Sequence, residues 1–141
     1  MIALYVLAFL YIGDEVLLAR RVNALFGEGL YSLVGGKVEA DETARQAIRR
    51  EVLEEVALDI PEASFELVHT FHRNGTDTEL VALCFKVDIS KMGSPVNAEP
   101  NKHDDLRFFN LKQLPENMIP AHKQAIMCIK QNITYSEHGW S

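Results

Sequence analysis

Residues 35–58, GGKVEADETARQAIRREVLEEVAL, decide how this chain is read. Glu51, Glu54 and Glu55 fall within one potential helical turn. Side chains three and four apart on a helix share a face, and like charges at that spacing are mildly destabilising. Thr43 and Gln46 have the spacing of a capping box, so the helix is predicted over 43–56. Ile48, Val52 and Val56 recur every fourth residue and form an apolar stripe to dock on a sheet. The acids occupy the adjacent face, where the small Ala44 and Ala47 upstream would leave them open to a ligand. Arg50 lies at the flank and can pair with Glu54 or Glu42, but one arginine cannot neutralise three carboxylates. A hard divalent cation, Mg²⁺ or Mn²⁺, can, because both prefer carboxylate oxygens. On composition alone the competing reading is a solvated acidic face.

Working outward, ALYVLAFLYI (3–12) reads as a buried strand and EVLLARR (15–21) as its hairpin partner across Gly13-Asp14. A short strand is predicted over 30–34, before the glycine pair. Beyond the helix, SFELVHTFHR (64–73) and ELVALCFKVD (79–88) are two strands joined by the turn NGTDT. MGSPVNAEPNKHDD (92–105) is a polar loop, LRFFNL (106–111) a last strand, and Pro120 opens a C-terminal helix over 120–132. The tail YSEHGWS carries the only tryptophan, Trp140, and fraying is the default for a terminus. Strands and two helices in this order predict an α+β fold, a mixed sheet covered on its faces.

With 141 residues, 48% of them apolar, the chain has the profile of a folded globular protein, expected as a single domain over 1–141. A net charge of −6 argues against a nucleic-acid partner, which requires a basic surface. It leaves room for a small anion that arrives with its own cation. The apolar opening has no preceding Lys or Arg, is interrupted by Asp14-Glu15, and is too short to span a bilayer. No membrane partner is therefore expected, and Cys84 and Cys128 are read as reduced, buried thiols of a cytoplasmic protein. A second copy of the chain, as a homodimer, is the one protein partner allowed for.

The 35–58 stretch resembles the signature of the Nudix hydrolases in Gly36, Glu42, Arg50, Glu51, Val52, Glu54, Glu55 and Leu58, all at matching spacing. Eight positions in one pattern are far more specific than a bare pair of glutamates. Two positions depart from it: Ala57 stands where glycine is usual at the end of the helix, and Val34 where proline is common. The resemblance implies an α/β/α sandwich with a loop–helix–loop motif. It also implies Mg²⁺-dependent hydrolysis of a nucleoside diphosphate linked to another moiety. By the same resemblance Glu51, Glu54 and Glu55 are the metal ligands, with the Gly36 carbonyl as a fourth, and Glu42 pairs with Arg50 to orient them.

The general base is either a glutamate of the helix or an acid on a distant loop, where Glu99, Asp104 and Asp105 are candidates and Glu99 is preferred. Phe26 is a candidate for stacking on a base, and His72 with Arg73 for holding phosphate. Asp104 and Asp105 are also carried as substrate contacts. No marker for ADP-ribose or dinucleoside polyphosphates is evident at Arg73-Asn74-Gly75-Thr76. The preferred substrate is therefore a nucleoside triphosphate, damaged ones included, as in the small MutT-like enzymes. The alternatives are an ADP-ribose or nucleotide-sugar hydrolase and a nucleotide-sensing module without catalysis.

Overall fold

The computed structural model describes residues 1–75 and 78–141. The turn expected over NGTDT includes Thr76 and Asp77 and so lies outside the described residues. Strand β1 (Ile2–Ile12) is the spine of one mixed, eight-stranded sheet. On one side it pairs in parallel with β6 (Glu79–Asp88), in register from Ile2↔Glu79 to Tyr11↔Asp88. On the other it pairs antiparallel with β2 (Glu15–Arg21) and then with β4 (Val34–Lys37). Paired along both edges and covered on both faces, β1 needs the nearly unbroken apolar run it has.

Alternation along β1 builds two cores. Val6, Ala8 and Leu10 point to one face, where Ile48, Val52 and Val56 of helix α1 (Ala44–Val56) pack with Phe65 and Phe85. Leu7 and Phe9 point to the other, against Ala121, Ala125, Ile126 and Ile129 of α2 (Pro120–Lys130). The expected helix–sheet–helix sandwich is what forms. Ala47, expected on the open acidic face, is instead fully buried in the α1 core. Cys84 is buried and Cys128 half-buried, and both are free thiols.

The strand predicted over 30–34 is two strands. β3 (Tyr31–Ser32) pairs with β2, and β4 pairs with β1, so the chain changes partner at Leu33. Strand β7 begins earlier than expected, at His103 (His103–Asn110), because His103 and Asp105 pair with Arg21 and Arg20 at the end of β2 and Asp104 is carried between them in a bulge. Asp104 accepts from Arg20 Nε at 2.7 Å, while Asp105 accepts from the Tyr31 hydroxyl and, at 2.7 Å, from Arg107 Nε. Their charges made them look like loop residues; these partners let them lie in a strand. The tail does not fray either. β8 (Tyr135–His138) adds in parallel to the edge of β5 (Glu66–Asn74), and the Trp140 indole donates to the His72 carbonyl at 3.1 Å.

Candidate active site

Helix α1 is held at both ends by groups the sequence supplies. Thr43 and Gln46 exchange the two hydrogen bonds of a capping box, at 3.1 and 2.8 Å. At the other end Ala57 is left-handed, with φ 60° and ψ 32°. The last-turn carbonyls are satisfied from far along the chain: Val96 N–H donates to the Val56 carbonyl and Ala98 N–H to that of Glu55, both at 3.0 Å. These two bonds lay the segment before β7 along the end of α1 and carry Glu99 to the acidic residues of the helix.

The three helix glutamates do not have equivalent surroundings. Glu54 is 47% exposed and meets Arg50 Nη1 at 3.4 Å. Glu51 is 15% exposed, accepts from the same Nη1 at 3.0 Å, and lies against Gly36. A Cβ added to Gly36 would sit 2.5 Å from Glu51 Oε1, so only glycine leaves room for this carboxylate. Glu55 is buried, accepting from the Gly35 N–H at 3.2 Å, with His103 Nε2 3.6 Å from its other oxygen. Burial, a hydrogen bond to Glu51 and the charges of Glu51 and Glu99 raise the Glu55 carboxyl well above the usual carboxylate range. Arg50 takes both oxygens of Glu42 at 2.8 Å, and this fork holds the Glu42 carboxyl down at about 2.

Buried carboxylates held against one another are a costly arrangement unless a cation or a proton offsets them. Among the described residues, no three His, Cys, Asp or Glu side chains converge tightly enough to hold a metal as they stand. The reason is visible in the pairing: Glu54 is drawn outward to Arg50, and Glu55 is turned in to Gly35. The donor chemistry still suits a hard cation, since the carboxylates of Glu51 and Glu55 meet beside the glycine pair, where the backbone carries no side chains.

On the α2 side of Gly35-Gly36 lies a cavity of about 200 Å³. Leu7, Leu33, Phe71, Leu80, Ala82 and Ile119 give it apolar walls, and Tyr5, Arg21, Arg73 and His122 bring polar groups. Phe26 lies at its edge, half-exposed, with the Arg73 guanidinium 4.6 Å above its ring. Phe26 and Arg73 thus meet in the cavity. His72 does not: it lies on the other face of β5, 2.6 Å from Glu79 and 4.8 Å from the Trp140 ring. Asp104 and Asp105 are not among the lining residues, being taken up by Arg20, Tyr31 and Arg107.

Sequence reasoning missed three residues of this region. His103 follows Glu99 by one helical turn's spacing, but its contact with Glu55 depends on the long loop. Arg21 and His122 sit on elements whose relative placement only the sheet defines. The one available hint for His122 was a histidine just inside an apolar helix.

The carboxylate-bearing helix capped by a distant loop, set over a mixed sheet, has clear relatives. The NUDIX domain profile matches residues 1–127, and the chain belongs to the Nudix hydrolase family. It is 32% identical over 111 residues to the NAD-capped RNA hydrolase NudC of Stutzerimonas stutzeri, a match covering 79% of this chain and 37% of that protein. The chain therefore spans little more than a third of the length of that curated relative. A MutT NUDIX hydrolase from Burkholderia pseudomallei superposes with TM-score 0.82 at 25% identity, over 90% of this chain and 97% of that one. The NUDIX domain of Shewanella oneidensis NrtR, solved with ADP ribose, superposes with TM-score 0.76 at 26% identity, over 95% and 90%.

Proposed function

We propose that residues 1–141 act as a single Nudix domain that hydrolyses a nucleoside triphosphate, damaged ones included, to the monophosphate and pyrophosphate. The observation that carries this is the shared wall: Gly35 and Gly36 border the cavity on one side and touch Glu55 and Glu51 on the other. A base in the cavity would direct its phosphates over the glycine pair toward the carboxylates.

Glu51, Glu54, Glu55 and the Gly36 carbonyl would hold Mg²⁺ or Mn²⁺, which when bound offsets phosphate charge and lowers the pKa of the attacking water. Glu99 is the proposed base, taking the proton from that water. Its backbone is anchored beside Glu55, and Lys102 Nζ lies 3.4 Å from its carboxylate. Arg50, fixed by the Glu42 fork, keeps Glu51 and Glu54 oriented and limits their repulsion before substrate arrives. Arg73 and Phe26 clamp the base end of the substrate. With its acidic surface, the chain is proposed to take small nucleotides and not nucleic acid or membrane, and to work in the cytoplasm.

A second reading, hydrolysis of ADP-ribose or a nucleotide sugar, is favoured by the likeness to the NrtR domain solved with ADP ribose. The test is a panel of nucleoside triphosphates, ADP-ribose and nucleotide sugars incubated with Mg²⁺, with products separated by chromatography. Monophosphate plus pyrophosphate from a triphosphate is the expected result. Preferential cleavage of ADP-ribose would replace it with the second reading. Binding without turnover of any member would make the chain a nucleotide-sensing module.

A further inference from the structure

The change of strand partner at Leu33 leaves its N–H outside the sheet ladder, and that N–H donates to His122 Nδ1 at 3.1 Å. A backbone N–H can only donate, so Nδ1 must be the acceptor, and the imidazole proton is on Nε2. Among the described residues Nε2 has no protein partner, and since none of their fully buried side-chain nitrogens or oxygens lacks one, Nε2 is an accessible atom and not a sealed one. His122 lines the cavity, so its Nε2–H is presented to the ligand. The charged side chains there are the guanidiniums of Arg21, whose Nε already donates to the Phe26 carbonyl at 3.0 Å, and of Arg73; both have donors and no acceptor. Tyr5 and Thr78 add hydroxyls that can serve either way.

We propose that this cavity selects a keto base over an amino base, with His122 as the specificity-determining residue. The inference rests on the reading of the cavity as the base pocket. A 6-oxopurine turns two acceptors, O6 and N7, toward such a wall, the edge that arginine grips with two bonds. A 6-aminopurine keeps the N7 acceptor but replaces O6 with an N–H₂, donor against donor at that position. An unmatched buried donor of this kind disfavours the wrong ligand strongly.

Inosine and adenosine monophosphates share charge and sugar and differ only at positions 6 and 1. Inosine carries O6 and N1–H there, adenosine an N6 amino group and a bare N1, so their affinities read the wall's preference along that edge. Calorimetric titration without added metal should find inosine monophosphate bound about tenfold or more tightly than adenosine monophosphate. His122→Gln can accept from Leu33 through its amide oxygen and then turns a donor N–H₂ to the cavity, so it should keep the preference. His122→Leu, which removes the donor, should compress it to about threefold or less. In case it does not fold, ¹⁵N-histidine spectra of the wild-type protein give an independent readout. His122 should be the Nε2–H tautomer, and its Nε2 signal should move with inosine monophosphate and not with adenosine monophosphate. Equal affinities, tighter adenosine binding, a proton on Nδ1, or binding of neither nucleotide would each overturn the proposal. A keto preference in a chain that hydrolyses nothing would leave it standing while removing the proposed reaction. Equal affinities in an active enzyme would remove this inference alone.

Discussion

Gly36 and Glu51 show how a single missing Cβ defines a site. The glutamate carboxylate occupies the space a side chain at Gly36 would need. Gly36→Ala should therefore push Glu51 aside, lowering Mn²⁺ affinity about 10–100-fold, the scale of a disturbed ligand shell. Calorimetric titration of Mn²⁺ checks this, and circular dichroism should show the fold intact. His122 gives a second residue-scale expectation. Burial first, and then the charges of Arg21 and Arg73, push its pKa down to about 3. The unfolded chain protonates this group near 6.5 while the folded one does not, so the unfolded state binds the extra proton between those values. Stability is thus retained above about pH 6.5 and lost as pH falls toward 3, by up to about 1.4 kcal/mol per pH unit from this group. Urea midpoints of wild type and His122→Gln at pH 7 and pH 5 should show the variant losing less over that interval. His103, whose pKa burial also lowers, adds to the wild-type slope and remains in the variant.

Helix α1 was the most legible element. Its capping box, apolar stripe and C-terminal limit all follow from local rules, and its glutamates from one motif. Ala57 tests that reading. A non-glycine residue at φ 60° carries a penalty that glycine escapes. Ala57→Gly should raise stability by up to about 1 kcal/mol, measured by denaturant unfolding, with activity unchanged. A clear loss of stability would mean that the residue is ordinary helix in solution. What was not legible depended on partners remote in sequence. Asp104 and Asp105 looked like loop because nothing local announces Arg20 and Tyr31 across the sheet. The tail looked frayed because a parallel edge strand owes its hydrogen bonds to β5 and not to its own sequence. The 30–34 segment hid a change of partner, since no glycine, proline or charge marks a break at Leu33.

For the whole molecule, the sheet sets the helix carboxylates on one face and the cavity on the other, and the two meet at one glycine pair. The α1 side gathers carboxylates with a loop laid over the helix end, and the α2 side encloses the cavity. No helix among the described residues is long and apolar enough to cross a membrane. The central claim is that the crowded acids are a place for a divalent cation without which the chain does no chemistry. Its most direct test follows hydrolysis of a nucleoside triphosphate across a Mg²⁺ titration that starts in excess chelator. The account predicts no turnover in chelator and a saturable rise with Mg²⁺, because uncompensated carboxylates repel the polyphosphate. Sustained turnover in excess chelator would contradict it.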